Sequence, residues 1–286
     1  MAVADIDGLA LAYDDLGTSA DVIVLVHGHP FNRTMWDPQR EALANAGWRV
    51  IIPDLRGYGE SGVTPGITTL HRFASDIAAL LDALGVGSVV IAGLSMGGQI
   101  AMEFCRMFPE RVRGLLLAAT FPQEETPDGR LARYAMAERL SREGMAPYAD
   151  DVLGKMLAPA SIVRLPAVAA QMRKMMRHSN PVGAAAALRG RAERPSYVPT
   201  LAALSVPALV VVGREDAFTT LADAEHMHAL LSRSELVLME GIGHMPNLEA
   251  SAAFNAATLR LLASVRHVAA AALATGSAAD PLAPLL

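Results

Sequence analysis

A serine, an aspartate and a histidine occur in this order along the chain and could together perform nucleophilic catalysis. Ser95 lies within Gly-Leu-Ser-Met-Gly at residues 93–97, while Asp216 and His244 each follow a separate apolar stretch of strand length. A serine hydroxyl is a weak nucleophile unless a base takes its proton and a third group orients that base. These residue types therefore predict acyl transfer through a covalent intermediate on Ser95.

A strand-to-helix turn is predicted around Ser95. Residues 88–92 are apolar and mostly β-branched, as in a buried strand, and apolar residues recur at helical spacing within 98–108. A turn this tight needs small residues on both sides of the serine, here Gly93 and Gly97, and it exposes the hydroxyl at the end of the sheet. The pattern Gly-x-Ser-x-Gly alone occurs by chance, but its place between a strand and a helix makes it specific.

The predicted acid and base follow two later strands. The apolar run 208–212 leads into Gly-Arg-Glu-Asp, which ends at Asp216, and the run 236–239 leads into Glu-Gly-Ile-Gly-His, which ends at His244. Serine, aspartate, histidine is the chain order expected when the nucleophile lies on an elbow of this type. Glu215 could replace Asp216 as the acid, or Asp216 could cap a helix that begins shortly after it. His244 could be a surface histidine on a glycine-rich turn.

Two backbone N–H groups are needed to stabilise the developing oxyanion. The residue after the nucleophile, Met96, is expected to supply one of them. The other is expected from His29, in the His-Gly-His-Pro loop after the apolar run 22–26. There Gly28 permits close approach of the backbone, and the bond from His29 to Pro30 could be cis. The His29 imidazole could bind a polar group of the substrate or face the solvent.

Strands and helices alternate along the segments that carry these residues. Residues 3–15 alternate loosely around a turn at Asp7-Gly8 and predict an antiparallel hairpin at a sheet edge. Predicted helices, one after Pro38 and one capped by Thr69, separate the early strands. This alternation predicts right-handed crossovers and a largely parallel sheet. The predicted strands are apolar runs at 22–26, 49–52, 88–92, 114–119, 208–212 and 236–239.

The alternation stops at residues 122–199, which show helical patterning interrupted by prolines. We expect a helical cap here, inserted into a core of residues 1–121 and 200–266 and lying over the strand ends where ligands bind in open α/β sheets. The methionines of the cap could be ordinary core residues or an adaptable apolar wall for the substrate. Residues 267–286 show no apolar stripe and predict a flexible C-terminal tail.

Composition excludes several classes of function. The length of 286 residues allows one α/β domain with a sizeable core, and the content of 52% hydrophobic and 19% charged residues excludes disorder as the general condition. A net charge of −5 argues against nucleic acid or an anionic membrane as a partner, and no apolar run approaches the ~18 residues that span a bilayer. The N-terminus lacks a signal-peptide pattern. The single cysteine, Cys105, suits a reducing cytoplasm and is interpreted as a packing residue.

Five segments of the chain together resemble the α/β-hydrolase superfamily. They are residues 27–30, the Asp-Leu-Arg-Gly-Tyr-Gly-Glu-Ser segment at 54–61, the Ser95 elbow, residues 213–216 and the Gly-His pair at 243–244. The chain is most similar to the branch of 3-oxoadipate enol-lactonases, haloperoxidase-like esterases and small-molecule carboxylesterases. This resemblance implies an eight-stranded sheet, a helical cap and a triad of Ser95, Asp216 and His244. Family dehalogenases and epoxide hydrolases carry aspartate at the elbow, so the serine argues against both activities.

The resulting prediction is a cytoplasmic serine hydrolase that cleaves a carboxylic ester or lactone of a small to medium apolar molecule. Three other reactions use the same triad and stay open as alternatives: hydrolysis of a C–C bond, hydrolysis of a thioester and formation of a peracid. The alternative outside the enzymes is a ligand-binding sensor that kept a hydrolase-like pocket.

No metal or organic cofactor is expected, because the predicted chemistry needs none. His226 and His228 are two residues apart on a predicted helix and make a poor metal pair. An enol-lactonase would also need cations for the carboxylates of its substrate, although arginines are common on any helix surface. The predicted cap offers Arg130, Arg133, Arg139, Arg164, Arg173, Arg177 and Arg189.

Overall fold

Eight strands form one sheet in a computed structural model that describes the backbone of residues 1–276 and the side chains of residues 1–271. All the predicted strands are present; β3 has the predicted bounds, and β4 to β8 differ from the predicted bounds by one or two residues at one or both ends. The strands are β1 (Ala2–Ile6), β2 (Leu9–Leu16), β3 (Val22–Val26), β4 (Arg49–Pro53), β5 (Val89–Leu94), β6 (Val112–Ala118), β7 (Ala208–Gly213) and β8 (Ser234–Met239).

The strand order across the sheet is β1-β2-β4-β3-β5-β6-β7-β8. The pairs β1–β2 and β2–β4 are antiparallel, and the other pairs are parallel. The predicted edge hairpin and the predicted eight-stranded, mostly parallel sheet are therefore confirmed. Because neighbouring parallel strands end at the same edge, the loops after β3, β5, β7 and β8 all meet there.

Helices cover both faces of the sheet, which explains why β3 is apolar and buried along its whole length. On one face pack α2 (Leu70–Ala83), α3 (Met96–Met107) and α10 (Leu221–Leu230). On the other face pack α1 (Asp37–Asn45) and α12 (Ser251–Gly276), with the short α11 (Pro246–Glu249) beside them. The Thr69 side chain accepts a hydrogen bond from the N–H of Arg72, 3.1 Å long, and caps α2 as predicted.

Six helices and no strand lie between β6 and β7 in the described chain. Proline occupies the first position of four of them, where the missing N–H leaves no intrahelical hydrogen bond unmade. The division into a cap at 122–199 and a core at 1–121 and 200–266 stays a prediction. The helices are α4 (Pro127–Glu143), α5 (Met145–Met156), α6 (Pro159–Arg164), α7 (Pro166–His178), α8 (Pro181–Ala192) and α9 (Val198–Ala203).

Helix α8 lies directly on the backbone of the segment between β4 and α2 at two of its own glycines. A Cβ atom on Gly183 would clash with the backbone of Gly57, and one on Gly190 would clash with the backbone of Thr68. The N–H of Thr68 also donates a 3.0 Å hydrogen bond to the carbonyl oxygen of Ala186. These contacts fix the height of α8 above the sheet.

Helix α12 continues to Gly276 and so includes the beginning of the segment 267–286 that was predicted to be a flexible tail. Alanine has the highest helix propensity, which favours this continuation. Residues 277–286 of that segment lie outside the described residues. In the part of the chain that the structure describes, no helix is long and apolar enough to cross a membrane.

Candidate active site

Ser95 occupies a strained turn between β5 and α3. Its backbone has φ 57° and ψ −116°, in a region that residues with a Cβ rarely adopt and that costs of the order of 1–3 kcal/mol. Three hydrogen bonds hold the turn. The N–H of Ser95 donates to the carbonyl oxygen of Ala118 (2.9 Å), and its own carbonyl accepts from Thr120 Oγ1 (2.8 Å) and the N–H of Gln99 (3.1 Å).

The glycines on both sides of Ser95 are required by close backbone approaches. A Cβ atom on Gly93 would clash with the carbonyl group of Gly97, and one on Gly97 would clash with the carbonyl group of Val26 on β3. The requirement for small residues that the sequence predicted thus has a specific steric cause.

Asp216 and His244 are in contact. The Nδ1 atom of His244 lies 2.9 Å from each carboxylate oxygen of Asp216, and both side chains are buried. Because an ionised carboxylate only accepts hydrogen bonds, the geometry assigns the proton to Nδ1 and leaves Nε2 as the basic nitrogen. Asp216 Oδ1 also accepts hydrogen bonds from the N–H groups of Phe218 (2.8 Å) and Thr219 (3.1 Å), which orient the carboxylate.

The structure shows where the residues that the sequence left open for the acid lie. Helix α10 is capped by Thr220, whose side chain accepts from the N–H of Asp223, so Asp216 is not its cap. Glu215 is exposed, whereas the Asp216 side chain has no exposed surface. His244 is 3% exposed and is not a surface histidine on a turn.

The loop that carries His244 is held by Glu249, a residue that the sequence analysis did not single out. Glu249 Oε1 accepts hydrogen bonds from the N–H groups of Gly243 (3.0 Å) and Met245 (3.1 Å), and Oε2 accepts one from Ala158 (2.9 Å). The N–H of His244 itself donates to the carbonyl oxygen of Met156, 3.1 Å away. The loop is therefore fixed to the chain between α5 and α6.

The residues predicted to bind the oxyanion lie beside Ser95. Met96 is the first residue of α3, so its N–H has no acceptor within the helix. The bond between His29 and Pro30 is cis, as the sequence suggested. An ideal Cβ atom on Gly28 would lie 3.0 Å from the carbonyl oxygen of Leu94, which shows how closely this loop approaches the elbow.

Ser95 and His244 line one cavity of about 400 Å³ between the strand ends and the helices α4, α5 and α8. Its apolar wall includes Met136 and Met156. Met156 also belongs to the hydrophobic core, as do Met172 and Met176, which do not line the cavity. Among the methionines of residues 122–199, some are therefore core residues and some contribute to the cavity wall. The polar and charged residues of the wall are His29, Gln99, Thr120, Arg133, Tyr148, Lys155, Arg191 and Thr219.

The His29 imidazole lies inside the protein, which excludes the solvent-facing alternative. The residue is 5% exposed and lines the cavity, and its Nδ1 atom lies 2.7 Å from the Tyr58 hydroxyl oxygen. Its Nε2 atom is buried and has no hydrogen-bond partner within the described residues. Burial, and then the positive charge of Arg191, hold the pKa of His29 well below its usual value, so this imidazole is neutral near pH 7.

His27 is a second neutral histidine beneath the site. Its Nε2 atom accepts a 3.0 Å hydrogen bond from the N–H of Leu55, so the proton is on Nδ1, which donates to the carbonyl oxygen of Gly28 at 2.9 Å. Burial lowers the pKa of His27. This side chain therefore fixes the loop before His29 rather than taking part in proton transfer.

Cys105 is buried in the core, as interpreted from the sequence, and burial raises the pKa of its thiol to about 12. A thiol in this environment is inert. Among the described residues, no three His, Cys, Asp or Glu side chains are grouped as metal ligands.

This chain is similar to known proteins over most of its length. Residues 21–251 match the family model described as alpha/beta hydrolase fold. The chain is 29% identical to 3-oxoadipate enol-lactonase 2 of Acinetobacter baylyi over 249 residues, which cover 86% of this chain and 91% of that protein.

Two solved structures are also similar. A thermophilic esterase from Thermogutta terrifontis, solved with malate bound, is 39% identical with a TM-score of 0.87, covering 90% of this chain and 94% of that one. The enol-lactonase from Burkholderia xenovorans LB400 is 27% identical with a TM-score of 0.85, covering 92% of this chain and all of that one. The predicted resemblance to this branch is confirmed.

Proposed function

We propose a mechanism and a substrate class for this chain, which belongs to the alpha/beta hydrolase fold family and is a hydrolytic enzyme of the esterase and lactonase type. The proposed reaction is hydrolysis of a carboxylic ester or lactone of a small to medium molecule through an acyl-enzyme on Ser95. Support for the size comes from the cavity of about 400 Å³, and support for the bond type comes from the esterase and enol-lactonase relatives.

In the proposed first step, Nε2 of His244 takes the proton of Ser95 while Oγ attacks the carbonyl carbon. Asp216 holds Nδ1–H and stabilises the imidazolium that forms. The N–H groups of Met96 and His29 donate to the oxyanion of the tetrahedral intermediate. The C–O bond to the alcohol then breaks, and the alcohol leaves with the proton from His244. Water then attacks the acyl carbon while Nε2 of His244 takes a proton from it. The bond from the acyl carbon to Ser95 Oγ breaks as His244 returns that proton to Oγ, and the acid is released.

The observation that carries this proposal is the 2.9 Å contact between Asp216 and His244. His244 lines the same cavity as Ser95, which is held on a strained elbow. Backbone strain of this kind clusters at active sites. The contact also sets the tautomer that a general base requires.

We further propose that residues 122–199 act as a cap over a core formed by residues 1–121 and 200–266. Helices α4, α5 and α8 of the segment contribute much of the cavity wall, through residues such as Arg133, Tyr148 and Leu188. The reacting groups instead come from the loops at the strand ends. In this proposal the cap selects the substrate and the core performs the chemistry.

The experiment that tests the mechanism compares wild-type protein with Ser95→Ala on p-nitrophenyl esters of increasing acyl length. Ser95→Ala should lower kcat to the background rate with an unchanged thermal unfolding midpoint. Ser264→Ala, at an exposed position of α12, is the matched control and should keep full activity. Intact-mass analysis after treatment with a p-nitrophenyl phosphate triester should show one adduct in the wild type and none in Ser95→Ala. A Ser95→Ala protein that hydrolyses these esters at the wild-type rate would refute the mechanism.

A further inference from the structure

Phe218 is an aromatic residue that lies both in the cavity and at the protein surface. Its side chain lines the same cavity as Ser95 and His244, yet the residue is 41% exposed. The ring lies against the imidazole of His244, with 4.8 Å between the ring centroids and an angle of 62° between the ring planes. Phe218 is therefore partly open to solvent and partly in contact with the predicted general base.

The two ends of the cavity differ in their exposure. Ala132, Lys155 and Phe218 line the cavity and are themselves exposed, so they mark the place where it opens to solvent. Gln99 of α3 and Leu188 of α8 also line the cavity and are buried, so they mark its closed end. The cavity thus runs from an open end at Phe218 to a closed end between two helices.

The proposed reaction orients an ester between these two ends. The carbonyl oxygen points to the N–H groups of Met96 and His29, and the oxygen of the leaving alcohol points to Nε2 of His244, which protonates it. The acyl chain takes the direction that is left at the tetrahedral carbon. Because the Phe218 ring contacts the His244 ring, the alcohol portion lies toward the open end and the acyl portion toward the closed end.

The phenyl ring of Phe218 is not needed to orient the predicted acid. The 2.8 Å hydrogen bond to Asp216 Oδ1 comes from the backbone N–H of Phe218, which every residue except proline supplies. The exposed ring, in contrast, loses contact with water when an apolar group lies on it, and this transfer is favourable. A second aromatic ring gains further through edge-to-face or offset stacking. The ring therefore offers binding free energy to the alcohol portion of a substrate.

We propose that Phe218 determines the specificity of the enzyme for the alcohol portion of its ester and favours arylmethyl alcohols. A phenyl group on the alcohol packs on the Phe218 ring at the open end of the cavity. The same group on the acyl portion lies toward the closed end and does not reach that ring. This inference rests on the proposed function, since it names the substrate class of the same site.

The test uses two isomeric esters that carry the same aromatic ring on opposite sides of the reacting bond. Benzyl acetate has the ring on the alcohol, and methyl phenylacetate has it on the acyl portion. The released acid is measured by pH-stat titration, and kcat/KM is compared because it includes every step up to the departure of the alcohol. Phe218→Ala should lower kcat/KM by about 10-fold for benzyl acetate and by less than about 3-fold for methyl phenylacetate. A loss for benzyl acetate no larger than the loss for methyl phenylacetate would overturn the proposal.

Further variants separate the ring of Phe218 from general effects on the loop. Phe218→Tyr keeps the ring and should keep wild-type kcat/KM for both esters within about 3-fold. Leu188→Ala, at the closed end, should have the reverse effect and lower kcat/KM more for methyl phenylacetate than for benzyl acetate. Val163→Ala is the matched control, because Val163 is an exposed apolar residue of α6 that does not line the cavity. The same change in the ratio of the two esters in Leu188→Ala and Phe218→Ala would contradict the proposed orientation.

A binding measurement separates this inference from the proposed reaction. Benzylacetone has a methylene group in place of the ester oxygen of benzyl acetate and cannot be hydrolysed. Its Kd for Ser95→Ala, measured by ligand-observed NMR titration, should rise by about 10-fold when Phe218→Ala is added. Such a rise, in a protein whose wild type hydrolyses no ester, would support the aromatic contact and refute the proposed function. Ester hydrolysis that depends on Ser95, with the Kd unchanged by Phe218→Ala, would refute the inference alone.

Discussion

Glu249 Oε2 accepts a 2.9 Å hydrogen bond from the N–H of Ala158, and this bond joins the loop of the predicted catalytic histidine to helix α6. The other oxygen of the carboxylate holds the N–H groups of Gly243 and Met245 on both sides of His244. The position of the imidazole is thus coupled to the chain at the end of α5, which lines the cavity, and at the start of α6. A buried carboxylate that accepts only backbone hydrogen bonds is well suited to such a role.

Replacing Glu249 with glutamine should impair catalysis through the position of His244. The amide offers one acceptor oxygen where the carboxylate offers two, so we expect a fall in kcat of about 10-fold and a loss of about 1–3 kcal/mol in the free energy of unfolding. Steady-state kinetics and urea unfolding measure the two effects. Glu240→Gln is the control, because Glu240 is an exposed acid on the same loop. A fall in stability with kcat unchanged would mean that Glu249 supports the fold but does not position His244.

Asp216→Asn should lower kcat by about 10⁴-fold with little change in KM, since an amide cannot hold Nδ1–H and stabilise the imidazolium as a carboxylate does. Glu215→Gln tests the neighbouring acid that the sequence left open, and its exposed position predicts wild-type rates. Ester hydrolysis by both variants decides between the two acids. The opposite pattern, with activity lost in Glu215→Gln and kept in Asp216→Asn, would contradict the assignment.

The free energy of unfolding should decrease as the pH falls below about 6.5. Burial lowers the pKa of both His27 and His29 in the folded protein, so in this range the unfolded chain binds protons that the folded chain does not. Each histidine then reduces the free energy of unfolding by up to about 1.4 kcal/mol per pH unit, until the pH reaches its folded-state pKa. Urea unfolding between pH 8 and pH 5 measures the slope. His29→Phe should make it shallower, and His178→Gln, at an exposed position, should not. An identical slope in His29→Phe and the wild type would argue against a buried neutral His29.

Gly183→Ala should destabilise the protein by displacing α8, because the new methyl group would meet the backbone of Gly57. We expect a loss of about 1–3 kcal/mol and a higher KM, since Leu188 and Arg191 of the same helix line the cavity. Gly154→Ala is the matched control. Gly154 lies in α5 with no atom near its Cβ position, so alanine there should raise stability by about 0.5–1 kcal/mol. Thermal and urea unfolding of both variants check the pair, and equal stabilisation in both would refute the close packing of α8.

The sequence by itself determined the strands, the elbow and the order of the predicted catalytic residues. Each depends on local patterns: an apolar β-branched run makes a buried strand, and Gly93 and Gly97 permit the tight turn at Ser95. Parallel strands bring their ends to one edge, so even the meeting of Asp216 and His244, which lie 28 residues apart in the chain, could be predicted from the ends of two strands.

Only the tertiary structure decided which residues of the helices between β6 and β7 face the cavity. Arg191 looks like any arginine of a helix surface, and its burial follows from the close seating of α8 on Gly57 and Thr68. Glu249 likewise joins its own loop to the N–H of Ala158, which lies 91 residues away in the chain. These properties arise from packing between segments that lie far apart in the chain. The free energy of such packing depends on the distances between the packed atoms, and no local pattern of residue types encodes those distances.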